Sequence, residues 1–167
     1  MAFPLPDFTD EGLLPPGDYE VTFEELRAST LVEGPGSGSV WGENWDAEWR
    51  EYLTRRAETM CNQLWSVGIE EVYLDGSFTE AKAHPNDIDG YFESDAERVA
   101  TGQLQRELNK IDPKKCWTWD PAERRAYRGY AKKQLPMWHA YRVTLYPHYD
   151  PFTGIPDKYG NPHTFPA

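Results

Sequence analysis

The chain has 167 residues, 14% of them aromatic, and a formal net charge of −11. That length suits one domain, and the aromatic content supplies enough apolar area for a core without disulfide or metal staples. The charge opposes non-specific binding to DNA, which counterion release from phosphates drives. No apolar run approaches the ~20 residues that cross a bilayer.

Residues 1–20 hold many prolines and glycines among acids and read as an extended arm. Thr22-Phe23-Glu24-Glu25 has the form of a capping box, so a short helix is expected over 22–29. Gly34-Pro35-Gly36-Ser37-Gly38-Ser39 reads as a loop. Trp45, Trp49, Leu53, Ala57, Met60, Leu64 and Val67 recur in steps of three and four, which predicts a helix over 45–67 with Gly68 as its C-terminal cap. The stripe reads as core. Ile69 to Asp75 predicts a strand, Gly76-Ser77 breaks it, and Pro85-Asn86 turns the chain into a second strand over 87–93. Residues 95–111 predict a helix with Val99, Leu104, Leu108 and Ile111 inward. Asp120-Pro121-Ala122-Glu123 carries the start signals of another. Trp138 to Tyr146, aromatic and β-branched, predicts a third strand. The tail from Pro147 is rich in Pro, Gly and Asn and reads as irregular. One domain follows: arm and loop over 1–44, core over 45–146, tail over 147–167.

Charge is unevenly placed. Residues 1–50 hold eleven acids against Arg27 and Arg50, whereas residues 106–142 hold ten Arg and Lys against four acids. An acidic arm suits a protein partner, and a basic second half suits a phosphate-bearing ligand. Solvated helix faces explain the same pattern without either. Cys61 and Cys116 lie apart, without metal spacing, and read as reduced thiols. The first residues lack the basic start and apolar centre of a signal peptide, so a cytoplasmic location is expected.

The chemistry sits at the centre. Residues two apart in a strand face the same side, so Asp87 and Asp89 are expected to project together while Ile88 faces away. Two adjacent carboxylates repel unless a cation lies between them. Such oxygen donors suit Mg²⁺ or Mn²⁺, which take one or two carboxylates plus substrate phosphates. Gly76 lets backbone approach a phosphate, and Ser77 offers a hydroxyl to it. Lys82, in the loop between, is a further phosphate candidate. A Gly-Ser turn and an Asp that caps the Pro-Asn turn would give the same letters with no ligand.

Leu74-Asp75-Gly76-Ser77 followed by Asp87-Ile88-Asp89 resembles the DNA polymerase β-type nucleotidyltransferase superfamily, particularly its minimal members. Leu14-Pro15-Pro16-Gly17, Thr22-Phe23-Glu24-Glu25-Leu26 and Gly160-Asn161-Pro162-His163 resemble an uncharacterised bacterial and phage branch of that group. The resemblance implies an α/β (α+β) fold, with a small mixed sheet flanked by helices. It implies that Asp87 and Asp89 bind metal and are catalytic, that Gly76 and Ser77 hold the phosphates of an NTP, and that a nucleotide is transferred to a protein, RNA or small-molecule hydroxyl. A phage or toxin–antitoxin setting is implied with it. The superfamily brings a third carboxylate from a later strand. The corresponding segment here has no acid: Arg142 or Thr144 takes that place, and Asp150 or Glu93 is left as a substitute. A catalytically weak relative that acts as a protein-binding module is therefore the alternative. His139, His148 and His163 are too scattered for zinc, and Trp117 and Trp119 read as packing rather than base stacking.

Overall fold

The structure is a computed structural model that describes residues 5–36 and 39–149. Thr22 starts helix α1 (Phe23–Arg27) as its sequence directs. Its hydroxyl accepts from the Glu25 N–H at 3.0 Å, and the Glu25 carboxylate accepts from the Thr22 N–H at 2.9 Å. One turn of helix that the sequence reading missed, α2 (Thr30–Glu33), follows at once, with Ser29 as its cap and Leu31 and Val32 buried. Four residues are too few to show a period.

The long helix is α3 (Ala47–Ser66), capped by Asp46, whose carboxylate accepts from the Trp49 N–H at 3.0 Å. Its buried stripe is Arg50, Leu53, Thr54, Ala57, Met60, Cys61 and Leu64. The expected stripe began at Trp45 and Trp49; both are only half-buried, and a charged residue, Arg50, takes the core position instead.

The sheet has three strands in the order β1 (Val72–Asp75), β2 (Ile88–Glu93), β3 (Val143–His148). β1 pairs antiparallel to β2, and β2 parallel to β3, which makes the small mixed sheet. Ile88, Phe92, Val143 and Leu145 enter the same core as the α3 stripe. The opposite face stays half-exposed and carries Asp89, Tyr91 and Glu93 of β2.

Three expectations are corrected. The helix over 95–111 is two, α4 (Ala96–Ala100) and α5 (Gln103–Ile111), because Gly102 adopts a φ of 77° that ends one and starts the other. Leu104 and Leu108 point inward, but Ile111 is 46% exposed. The signals at Asp120 produce one 3-10 turn, Pro121–Glu123. The expected strand over 138–146 begins as a helix, α6 (Pro136–Tyr141): Pro136 presets its first φ, Met137, Trp138 and Tyr141 are buried, and Arg142 at φ 59° turns the chain into β3. The strand then runs through Pro147 to His148, two residues into the expected tail. The rest of that tail, from 150, lies outside the described residues.

Cys61 and Cys116 are free and buried. Burial pushes the Cys61 thiol up to about 12, so it stays protonated and unreactive. Among the described residues no helix is long and apolar enough to cross a membrane.

Candidate functional site

The first turns of α3 build the loop between β1 and β2. Trp49 donates its indole N–H to the Pro85 carbonyl at 2.5 Å, and the Asp46 N–H donates to the Ala83 carbonyl at 3.0 Å. His84 stacks on Trp49 at 4.7 Å and bonds the Asp46 carboxylate at 2.9 Å. Arg50 reaches deeper. Its guanidinium donates to the carbonyls of Leu31, Phe78, Glu80 and Lys82 at 2.6 to 3.2 Å and has no carboxylate partner among the described residues. From the other side the N-terminal arm clamps the loop: the Ala81 N–H donates to the Gly12 carbonyl at 2.8 Å, and Leu13 bridges Glu80. Phe78, fully buried, pins the 3-10 turn Gly76–Thr79 into the core.

That scaffold sets Gly76 against Asp89. A Cβ added at Gly76 would lie 3.1 Å from Asp89 Oδ2, and Gly76 holds φ 76°. Both the space and the conformation require glycine. We expect Gly76→Ala to cost about 1–2 kcal/mol through the left-handed backbone. Thermal melting of the variant checks this, and an unchanged melting temperature would refute it.

β2 begins at Ile88, so Asp87 stands one residue before the strand rather than in it; its carboxylate is still near enough to Asp89 to act on that residue's pKa. Asp89 also faces Asp75 across the β1–β2 pair. Its pKa is pushed up to about 7, first by burial, then by the negative charges of Asp87 and Asp75. Partial burial also raises Asp75. The Trp138 indole N–H donates to Asp87 Oδ2 at 2.8 Å and fixes that carboxylate from the α6 side. Near neutrality Asp89 therefore still takes up a proton beside the Asp87 carboxylate, a crowding of acids that a small hard cation relieves. The donor chemistry fits Mg²⁺ or Mn²⁺ with two protein carboxylates. Among the described residues no group of three or more His, Cys, Asp or Glu is arranged to hold a metal. Substrate oxygens or water would complete the shell.

The third-acid question has a geometric answer. Thr144, not Arg142, lies beside Asp89 in the β2–β3 register. Glu93 sits at the far end of β2, engaged with His148 at 2.7 Å, and is no substitute. Asp150 lies outside the described residues. The third carboxylate in the field of the pair is Asp75, from β1. Sequence reasoning took it only as the end of a strand, although its place directly before Gly76 was the available signal.

Ser77 is half-buried beside Gly76, and its hydroxyl makes no hydrogen bond among the described residues. Lys82 is exposed; its N–H donates to the Glu80 carbonyl at 2.7 Å and its carbonyl accepts from Arg50, while its ammonium makes no hydrogen bond or ion pair among the described residues. Arg142, the other residue expected at the third acid's place, lies over aromatic rings instead. Its guanidinium lies 4.3 Å from the Trp138 ring and 5.6 Å from the Trp49 ring and donates to the Asn86 carbonyl at 2.9 Å. Trp117 is buried and Trp119 packs against Phe92 and Trp117, as expected of core.

The model of a family of unknown function, DUF6932, matches residues 6–160. The chain belongs to the DUF6932 family. The match takes in the arm, the Gly76 turn, both aspartates and all three strands. No curated protein and no solved structure matches this DUF6932 member.

Proposed function

We propose that this protein is a metal-dependent nucleotidyltransferase-like protein that binds an NTP at the Asp87–Asp89 pair. The observation that carries the reading is the placement of Asp89, with its Oδ2 3.1 Å from where a Gly76 Cβ would stand and Asp87, held by the Trp138 indole, beside it. Mg²⁺ or Mn²⁺, when bound there, would neutralise the triphosphate charge and polarise its oxygens. Gly76 leaves room for the phosphates, and the unengaged Ser77 hydroxyl is free to bond one. Lys82 lies exposed on the same loop and adds positive charge.

In the transfer, an acceptor hydroxyl oxygen bonds to the α-phosphorus. The bond from that phosphorus to the α–β bridging oxygen breaks, and pyrophosphate leaves. The hydroxyl proton must go to a base. Asp75 is a carboxylate with no hydrogen bond or ion pair of its own among the described residues, and its raised pKa suits it to accept a proton.

A second reading has its own observation. Thr144 offers no charge where the superfamily's later strand brings an acid. A relative without the full two-metal clamp would bind nucleotide and turn over slowly or not at all, and would act by engaging a protein through its acidic arm.

Calorimetry with Mg²⁺ and each NTP, on the native chain and on Asp87→Ala/Asp89→Ala, tests the pocket. We expect saturable binding that needs the metal and disappears in the double variant. No saturable binding under any metal condition would overturn both readings' nucleotide component. Transfer of label from an α-labelled NTP then separates enzyme from binder, with Asp75→Asn expected to lower transfer at least tenfold while leaving binding intact.

A further inference from the structure

The geometry points to a binding surface for single-stranded nucleic acid, formed by a row of tyrosines on the sheet and the basic loop at its edge. Strand register places Tyr73, Tyr91 and Tyr146 side by side across β1, β2 and β3, one row along from Asp75, Asp89 and Thr144. Tyr73 and Tyr91 are half-exposed and outside the core, while Tyr146, also half-exposed, leans against the core at the β3 end of the row. Tyr73 and Tyr91 stack at 4.9 Å with their planes 17° apart. Aromatic rings standing on a half-open sheet give bases a stacking platform that tolerates any sequence.

The second observation is charge. Between Arg124 and Lys133 the chain has five Arg and Lys and no acid. None of the five forms an ion pair among the described residues, in a chain that carries 28 acids. Arg125, Arg128, Lys132 and Lys133 are exposed. Cations left unpaired amid so many acids are available to an external polyanion.

Two contacts fasten this loop to the platform and to the carboxylates. Arg124 donates to the Tyr146 hydroxyl at 2.9 Å. Tyr127 and Tyr130 meet the Trp138 ring edge-on at 5.2 and 5.3 Å, and Trp138 holds Asp87. A strand with its phosphates on the loop and its bases on the tyrosines would run toward the Asp87–Asp89 pair. A strand wanders across more cations than one triphosphate needs, which is why a nucleic acid is favoured over a free nucleotide here. Acids border the rings: Glu71 accepts from the Tyr73 hydroxyl at 3.3 Å, Glu93 bonds His148, and Asp18 and Asp75 act on Tyr91, so the phosphates belong on the basic loop and only the bases on the tyrosines. As the acceptor for transfer, the strand rests on the function proposed above; its binding does not.

The test is fluorescence anisotropy with labelled single-stranded RNA and DNA of about twelve nucleotides at ~50 mM salt, without NTP. The native chain is expected to bind with a salt dependence set by the loop cations. Arg125→Glu, Arg128→Glu, Lys132→Glu and Lys133→Glu combined are expected to weaken binding at least tenfold and flatten the logarithmic salt slope by ~2–3. Tyr91→Leu, which keeps an apolar side chain in the strand, is expected to weaken binding about fivefold with the slope unchanged. Circular dichroism confirms that each variant is folded. Failure of the native chain to bind either strand overturns this surface alone, leaving NTP binding standing. Equal binding of duplex DNA or heparin, with Tyr91→Leu silent, would also overturn it, as adsorption of any polyanion. A preference between the RNA and DNA arms names the physiological strand.

Discussion

Replacing Arg50 with methionine is expected to remove about 3–5 kcal/mol of folding stability, among the largest effects of any single substitution in this protein. The side chain is fully buried and its donors all go to backbone carbonyls, those of Leu31, Phe78, Glu80 and Lys82. It also lies 4.2 Å from the Trp45 ring and 5.0 Å from the Phe78 ring. Burial lowers its pKa to about 10, still well above neutrality, so the guanidinium is charged in the folded state. Methionine fills much of the volume but takes the donors from the Leu31, Phe78 and Lys82 carbonyls, while that of Glu80 keeps the Lys82 N–H, and a buried unpaired carbonyl costs ~1–3 kcal/mol. Lysine does not rescue the site fully, since a point charge with three donors replaces a planar fork with five. The check is denaturant unfolding, with a lower midpoint and an unchanged slope. Hydrogen exchange adds a local signature: amides of 78–82 should exchange faster than those of the α3 centre in Arg50→Lys. A midpoint within 1 kcal/mol of native would show that the carbonyls find other partners.

Arg50 also shows where sequence reasoning reached its limit. Hydrophobic periodicity located α3 within two residues at its start, yet an arginine scores as polar in any such pattern, so the stripe was drawn through Trp45 and Trp49. Buried spacing of 50, 53, 57, 60 and 64 was present in the letters; only the carbonyls of a distant loop make position 50 tolerable for a charge. Gly76 and Asp89 were legible for the opposite reason. Strand alternation is local, so the expectation that Asp87 and Asp89 project together needed no tertiary information, although β2 starts only at Ile88. The place of Asp75 did need it, because the antiparallel register that sets it opposite Asp89 is a long-range fact. Trp138 and Tyr141 misled because aromatic enrichment suggests strand, while Pro136 and the buried i, i+3 spacing within α6 decided for helix.

The pH dependence of stability follows from the same pair. Asp89 has an ordinary pKa of 3.8 and about 7 in the fold. Between those values the native chain holds a proton that the unfolded chain has released, so stability falls as pH rises through that window. The contribution is full below 3.8, lost by the time pH passes about 7, and flat beyond. Asp89→Asn removes the titration. We therefore expect the variant to be the more stable chain at pH 8, by ~2–4 kcal/mol after allowance for the water that reaches a half-exposed carboxylate. The difference should shrink toward zero near pH 4. Taking the difference between the two chains removes other titrating groups. One is Asp112, whose burial acts to raise its pKa but whose hydrogen bonds, led by that from the Cys116 N–H, hold it lower overall, so its stabilisation is lost as pH falls. Mg²⁺ adds the decisive comparison. A cation that binds the native pair stabilises by ~2.7 kcal/mol at a hundredfold excess over its dissociation constant, and should do so at pH 8 far more than at pH 5, where it competes with the proton on Asp89. In Asp89→Asn that gain should vanish. A variant no more stable than the native chain at pH 8 would mean that the two carboxyls are not held in contact. Metal stabilisation that survives the substitution would place the cation elsewhere.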